Sequence, residues 1–436
     1  MSQTASPGSD PGTRKLGLLW LMPGITPING LTYFMSAFLA IPMMAAMSFL
    51  QPIMLKVVGI ERAVQGTLTG DLTFYTECIV LLLVPFIGAS TDKLGRKPII
   101  LLGFAFLGLG YALYPFADSK EMMYAYRTVF AFGIAGVTGT ISIISADYVQ
   151  ERSRGKWVAI ASFTQGIGIF IASQLLRWLP KELASDGLSE ADIAKVLFWG
   201  CCGVCVLTVA VGAAGLSNKK PKEAREHDSL LRLLQSGARA ARENLRIALA
   251  YGTAFAARGD VVVVGTFTFL WTQHAAEDLG LGIGDGYQRG GMIFGVIQFA
   301  ALIWALLMAF ILDKVDRTTG VVIAFTLSAI GYTAFGIVGD PFSNAIFLPA
   351  IILGMGESST IIAGNALMGQ CAPATIRGAV LGLFSLCGAA GILISTSVGG
   401  RLFDLWMPGG PFILMGIVNS VVLAAAIYVR LKTGRQ

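Results

Sequence analysis

Twelve runs of predominantly apolar residues leave this chain few ways to fold. They lie at 31–55, 66–91, 98–117, 123–147, 157–179, 193–216, 246–272, 289–312, 319–338, 345–369, 379–400 and 412–431. Each is close to the roughly 20 residues that a helix needs to cross the hydrocarbon core of a bilayer. Charged residues are 13% of the 436 and hydrophobic ones 55%, and the mean hydropathy is +0.70. A soluble chain of this length needs far more polar surface, so these runs face lipid and one another. In hydrocarbon each backbone polar group must be paired within its own segment, which makes every run a helix. The expected fold is an all-α membrane protein of about twelve transmembrane helices, six in each half. An even number of spans puts both termini on one side.

Basic residues choose that side. Of the 32 Lys and Arg residues, Arg127 and Arg258 lie inside apolar runs away from their ends. Lys56, Arg62, Lys120, Arg177, Lys181, Lys195, Arg289 and Arg401 flank the runs on one side, and all the others lie on the side of Asp92. Both termini and the central segment are therefore expected in the cytoplasm, with the protein integral to a plasma membrane, the bacterial inner membrane. The net charge of +6 follows from that topology and from anionic headgroups, and gives no reason to expect nucleic acid.

The chain divides into a cytoplasmic tail and interfacial segment at 1–30, a first six-helix bundle at 31–216, an amphipathic linker at 217–245, a second bundle at 246–431 and a cytoplasmic tail at 432–436. The apolar stretch from Leu16 to Ile28 is interrupted by Pro23 and Pro27 and has no small-residue cleavage pattern, which argues against a cleaved signal. In the linker Leu230, Leu231, Leu233 and Leu234 alternate with Arg232, Arg239, Arg242 and Glu243, as in a helix lying on a membrane surface. Cys202 and Cys205 sit in an apolar run without a nearby His and read as small buried hydrophobes.

Two echoes relate the halves. Gly88-Ala-Ser-Thr-Asp92-Lys-Leu-Gly95-Arg96-Lys97 joins the second run to the third, and Asp313-Lys-Val-Asp-Arg317 partly repeats it about half the chain later. Gly133 precedes Arg154-Gly155 by 21 residues, and Gly356 precedes Arg377-Gly378 by the same 21. The first turn, Gly-x-x-x-Asp-Lys-x-Gly-Arg-Lys, resembles the signature between helices two and three of major facilitator superfamily transporters, with Ser90 where Leu is usual. Asp147 to Lys156 is similar to that family's loop between helices four and five. Gln165-Gly166-Ile-Gly168 in helix five lacks the Gly-Pro pair of the family's proton-linked drug antiporters.

The resemblance implies two six-helix halves that rock about a central substrate site. It also implies a gate at the cytoplasmic side, built from Gly88, Asp92, Gly95, Arg96, Lys97 and Asp147, which holds the halves together while the outside is open. Glu151 is a second candidate partner for Arg96. Asp313 and Arg317 form the second copy, in which Asp316 replaces Gly95 and Thr318 replaces Lys97.

Charges at membrane depth cost several kcal/mol unless paired or wet, so each is a functional candidate. At about 1.5 Å per residue, Glu77, Arg258 and Glu357 come out about 20 Å from the cytoplasmic ends of their helices, with Asp260 beside them and Arg127 about 30 Å up. By resemblance, helices one, four, seven and ten line the cavity, so Arg127, Arg258, Asp260 and Glu357 face it or its immediate lining. Arg127 also resembles the arginine of the family's helix-four signature. Arg258 and Asp260 lie roughly 200° apart on their helix and point different ways. One reading makes these groups a buried ion pair, Arg258 with Glu357; the other makes a carboxylate the carrier of a proton. Gln298 and Asn365 suit either substrate binding or interhelical bonding. Phe255, Phe267, Trp271 and Trp304 read as packing residues.

These features point to a secondary active transporter that moves a small organic solute by alternating access, driven by a proton gradient and without a cofactor. A monomer embedded in lipid is expected. No phosphate-binding glycine loop, metal cluster or catalytic triad appears, which argues against an enzyme. A uniporter of the same fold, or a non-transporting sensor or scaffold, are the rivals; the substrate and its direction stay open. Reporter fusions at Ser2, Lys219 and Arg435 should all report the cytoplasmic side. An outside signal at any of them would overturn the charge count.

Overall fold

The computed structural model describes residues 14–218 and 230–434. Twelve of its helices are long and apolar enough to cross a membrane. The first half holds α1 (Pro27–Val58), α2 (Gln65–Leu94), α3 (Arg96–Leu113), α4 (Lys120–Tyr148), α5 (Glu151–Ser185) and α6 (Glu190–Gly215). After α7 (Leu230–Glu243), the second half holds α8 (Leu245–Asp278), α9 (Ile283–Lys314), α10 (Arg317–Ile337), α11 (Phe347–Cys371), α12 (Arg377–Leu405) and α13 (Gly410–Thr433). Both described chain ends lie at the end of the bundle that carries the Asp92 turn, the terminal end. The other is the opposite end.

Local chemistry sets the helix limits. Thr26 and Asn29 form a capping box, so α1 starts four residues before the apolar run. Ser119, Ser189, Asn244 and Asp316 cap α4, α6, α8 and α10 with their side chains. Gly95 ends α2 at φ 98° with its N–H bonded to the Thr91 carbonyl, and α3 begins at the next residue. Only glycine makes this reversal without strain.

Two segments differ from expectation. The stretch before α1 folds into a small hairpin, β1 (Lys15–Leu16) against β2 (Leu19–Trp20), instead of a plain interfacial segment. Leu21 pairs with Val149, Trp20 N–H donates to Ser153 Oγ at 3.1 Å, and the Trp20 ring lies between Lys15 and Arg152. Cation–π contact and backbone pairing thus fix it to the α4–α5 turn. The expected tail at 1–13 and the linker stretch 219–229, with His227, lie outside the described residues. Helix α7 docks on the second half: Gly237 sits against Ala379 and Leu383 of α12 and accepts a hydrogen bond from Tyr251 Oη at 3.2 Å.

The 21-residue echo marks one packing contact made twice. A Cβ on Gly133 of α4 would come within 2.5 Å of the Leu107 nitrogen of α3, and one on Gly356 of α11 within 2.5 Å of Ser328 Cα of α10. Glycine lets each pair of helices touch backbone to backbone.

The halves meet along α2 with α12 and along α5 with α9. Gly66 and Gly70 of α2 press on Gly400 and Thr396 of α12, and Gly284, Gly291 and Gly295 of α9 press on Lys181, Arg177 and Gln174 of α5. Between these seams Phe49 of α1 packs on Phe269 of α8 (4.9 Å between ring centroids) and on Phe294 of α9 (4.8 Å). One buried core therefore runs across both halves toward the opposite end. At the terminal end the second half keeps a separate core around Met308, Phe325 and Leu367.

Gly291→Leu removes the space against Ser173 and Arg177, where a Cβ alone would come within 2.7 Å. The variant should fold but hold the opposite end apart. Spin labels at Asp186→Cys and Leu281→Cys, in a cysteine-free background, should report a longer distance than in the parent. An unchanged distance would show that the seam tolerates a side chain.

Candidate functional site

The second half carries two buried carboxylates with different surroundings. Glu357 of α11 is 5% exposed. Its Oε1 accepts a long hydrogen bond, 3.4 Å, from Gln298 Nε2 of α9, and its Oε2 has no partner among the described residues. Gly354 and Gly356 bring α9 and α10 close on either side of it.

Asp260 of α8 is wholly buried and better satisfied. Asn419 Nδ2 of α13 donates to Oδ1 at 2.8 Å, and Ser328 Oγ of α10 donates to Oδ2 at 3.2 Å. It points into the packed interior of the second half and does not line the space between the halves, contrary to the expectation from resemblance. The hydroxyl of Tyr332, within electrostatic reach of both carboxylates, has no hydrogen-bond partner among the described residues.

Arg258 takes the other direction on α8. It is exposed, its stem crosses Gly388 of α12, and it makes no ion pair with Glu357. The carboxylate its charge reaches is Glu77 of α2, across the seam. Asn365 is exposed on α11, whereas Trp304 donates from Nε1 to Ser359 Oγ at 2.8 Å.

Arg127 of α4 also departs from expectation. It is 2% exposed and enclosed in the first half. Its Nη2 donates to Gln51 Oε1 of α1 at 2.7 Å and its Nε to Tyr114 Oη at 3.4 Å, while Tyr114 Oη donates to the same Gln51 oxygen at 2.7 Å. No carboxylate pairs with it among the described residues. The expected single layer of charge is thus a seam pair (Glu77, Arg258), two enclosed acids (Asp260, Glu357) and a separate cation.

At the terminal end Arg96 joins three elements. Its Nη1 lies 3.3 Å from Asp92 Oδ1 and donates to the Thr91 carbonyl at 3.0 Å, and its Nε donates to Asp147 Oδ2 of α4 at 2.8 Å. Glu151 pairs with Arg154 instead. Gly88 has open space beside it, and Lys97 forms no ion pair among the described residues. In the second copy Arg317 Nη1 donates to the Leu312 carbonyl at 2.7 Å, the same five-residue step back that Arg96 makes to Thr91. Asp313 is exposed without an ion-pair partner among the described residues, and Asp316 caps α10 through Thr319. The whole Arg96 cluster lies within the first half. It does not bridge the halves here, because they meet at the other end.

That other end holds a latch which the sequence reading did not identify. Arg62 binds Asp278 through two bonds of 2.6 Å, and its Nε donates to His274 Nδ1 at 3.4 Å. His274 Nε2 in turn lies 2.9 Å from Gln65 Oε1. Lys56 reaches Glu277 (3.4 Å), Arg401 reaches Asp71 (2.9 Å) and Lys181 reaches Asp285 (3.2 Å). Asp404 of α12 accepts from the Gly66 and Thr67 N–H groups at 2.8 and 2.6 Å. It thereby caps α2, for which Val64 offers no side-chain bond. Among the described residues, the hydrogen bonds and ion pairs linking the halves all lie toward this end. Only the clustering of charges beside helix ends could have hinted at them.

Halves closed at one end and separate at the other, around a few buried polar groups, form the plan of a carrier. Residues 32–320, and again 265–436, match the Major Facilitator Superfamily. The chain belongs to that family. Relatives include the magnetosome protein MamH of Paramagnetospirillum magneticum, 26% identical over 411 residues, covering 91% of this chain and 90% of that protein. Magnetosome protein MamZ of the same organism is 26% identical over 88% of this chain, which spans only 60% of MamZ. The class D tetracycline resistance protein of Salmonella ordonez is 22% identical over 71% of this chain and 74% of its own length. The nucleoside transporter NupG superposes with a TM-score of 0.73 at 14% identity, over 92% of this chain and 99% of its own. The family and its structural neighbours are transporters, not enzymes, and the protein is a multi-pass integral membrane protein.

Arg96 shares its charge between two carboxylates. Asp92→Asn or Asp147→Asn alone should lower the melting temperature little, since a partly exposed pair contributes less than about 1 kcal/mol and the other acid remains. The double variant should lose more than the sum of the two. Additive losses would show that Arg96 does not couple them.

Proposed function

We propose that this protein is a proton-driven secondary transporter of a small organic solute, working by alternating access, with Glu357 as the coupling carboxylate. The observation that carries the reading is the half-satisfied state of Glu357: buried, bonded only through a long contact to Gln298, and with Oε2 unpartnered. A group that takes up and releases a proton needs a free oxygen and no permanent cation. Asp260, held by two donors, fits a structural role better and is second choice. The charge of Arg258 reaches Glu77 across the seam without an ion pair between them, so their interaction would change as the halves rock.

By the charge count, the terminal end is cytoplasmic, and the membrane a bacterial inner membrane. The present structure then corresponds to the carrier closed outside and open inside. The Arg96 cluster, confined to one half here, would meet the second half in the opposite state. The tetracycline resistance relative supports an organic solute by its name. The working unit is a monomer in lipid, with no cofactor beyond the proton gradient and no nucleic-acid partner.

Neutralising a coupling carboxylate imitates its permanently protonated form. Glu357→Gln in proteoliposomes should therefore lose accumulation driven by a pH gradient, at least tenfold, while retaining counterflow exchange. Loss of both activities would point to substrate binding instead. Accumulation equal to the parent would remove Glu357 from the role and pass the test to Asp260.

A further inference from the structure

A groove of about 690 Å³ runs between α5, α9 and α11, outside the polar site just described. Along α9 it is lined by Met292, Val296, Phe299 and Ile303, which recur at three- and four-residue spacing. That flank is turned away from Gln298 and hence from Glu357. Phe299 and Ile303 are 54% and 47% exposed, so the groove opens outward to the surrounding membrane.

One cation stands at its upper end. Arg177 of α5 lines the groove beside Met292. Its Nε is buried without a hydrogen-bond partner, and its guanidinium makes no ion pair among the described residues, only a contact of 5.0 Å with the Trp178 ring. The nearby acid Asp285 is taken by Lys181. Depth can be read from α9. Its 32 residues make about 48 Å, against a hydrocarbon core of about 30 Å. Gly291, against which Arg177 packs, lies about 12 Å from the tip of α9 at the opposite end, near the edge of the core. From Met292 to Ile303 the groove descends about 16 Å, close to the thickness of one leaflet's hydrocarbon.

We propose that this groove binds an anionic phospholipid of the leaflet at the opposite end, with its phosphate on Arg177 and one acyl chain along Val296, Phe299 and Ile303. An unpaired guanidinium at the hydrocarbon edge attracts the headgroup charge and can bind phosphate oxygens in pairs. Below Arg177 the lining is apolar except for Gln174, whose amide nitrogen is turned to Ser173 Oγ and the Gly291 carbonyl, and the Trp304 ring, and this suits an acyl chain. Because α5 belongs to one half and α9 and α11 to the other, the bound lipid spans the seam and favours closure of the opposite end. This site is independent of the proton reading of Glu357.

Native mass spectrometry of the full chain in detergent, titrated with phosphatidylglycerol or phosphatidylcholine, tests it. The parent should retain one phosphatidylglycerol at a concentration at least tenfold below that needed for phosphatidylcholine. Arg177→Gln should fall to the phosphatidylcholine level, while Arg177→Lys keeps the preference. Ile303→Trp, which leaves Arg177 intact and fills the groove, should lose retention of both lipids. Equal retention of the two lipids by the parent, or undiminished retention by Arg177→Gln or Ile303→Trp, overturns the proposal. If Arg177→Gln does not fold, Arg177→Lys and Ile303→Trp decide it alone.

Discussion

The halves of this protein touch where side chains are missing. In lipid there is no hydrophobic drive to bring helices together, so close packing and polar contact must do it. Glycines on α2, α9 and α12 let backbones of opposite halves come into direct contact along two related seams. Everything else at that end depends on this approach. The Phe49, Phe269 and Phe294 rings meet only because α1, α8 and α9 are drawn together, and the ion pairs of the rim close over them. The same contact, made at one end only, leaves the terminal end of the second half with a core of its own.

Much of the fold was legible because its causes are local. Span length and the lack of charge define twelve helices without reference to any partner. The repeats were legible too: the Gly133 and Gly356 echo became the same helix contact in both halves. Asp92 and Arg96 lie four residues apart, and they do approach each other. Counting along a helix gives the height of a charge, however, and not the direction in which it points. Height marked Arg127 and Asp260 as candidates for the cavity, yet both turn into the packing of their own halves. Arg258 and Asp260 were the exception, since two positions on one helix constrain each other's direction. The hairpin at Lys15–Trp20 and the latch around Arg62 were out of reach, because their partners lie more than a hundred residues away in the chain.

Within the polar site the contrast between Glu357 and Asp260 is one of satisfaction. Both are buried in the same half. Asp260 has a donor on each oxygen, and breaking that arrangement would strand Asn419 and Ser328 as well. Glu357 has one long bond and one bare oxygen. Depth makes both conspicuous in the sequence; only the neighbours distinguish a fixture from a group free to change.

Helix α2 is finished at both ends by charge, but by different owners. At its C-terminus the Arg96 guanidinium, from the same half, binds the Thr91 carbonyl; at its N-terminus the carboxylate of Asp404, from the other half, takes the Gly66 and Thr67 N–H groups. Both charges oppose the helix dipole in the favourable sense. When the halves part at the opposite end, one terminus keeps its cap and the other loses it. Water must then solvate the first turn of α2. Any parting of the halves there would wet and loosen the start of this helix, so the mouth at that end would be shaped by a turn whose order the two halves hold jointly.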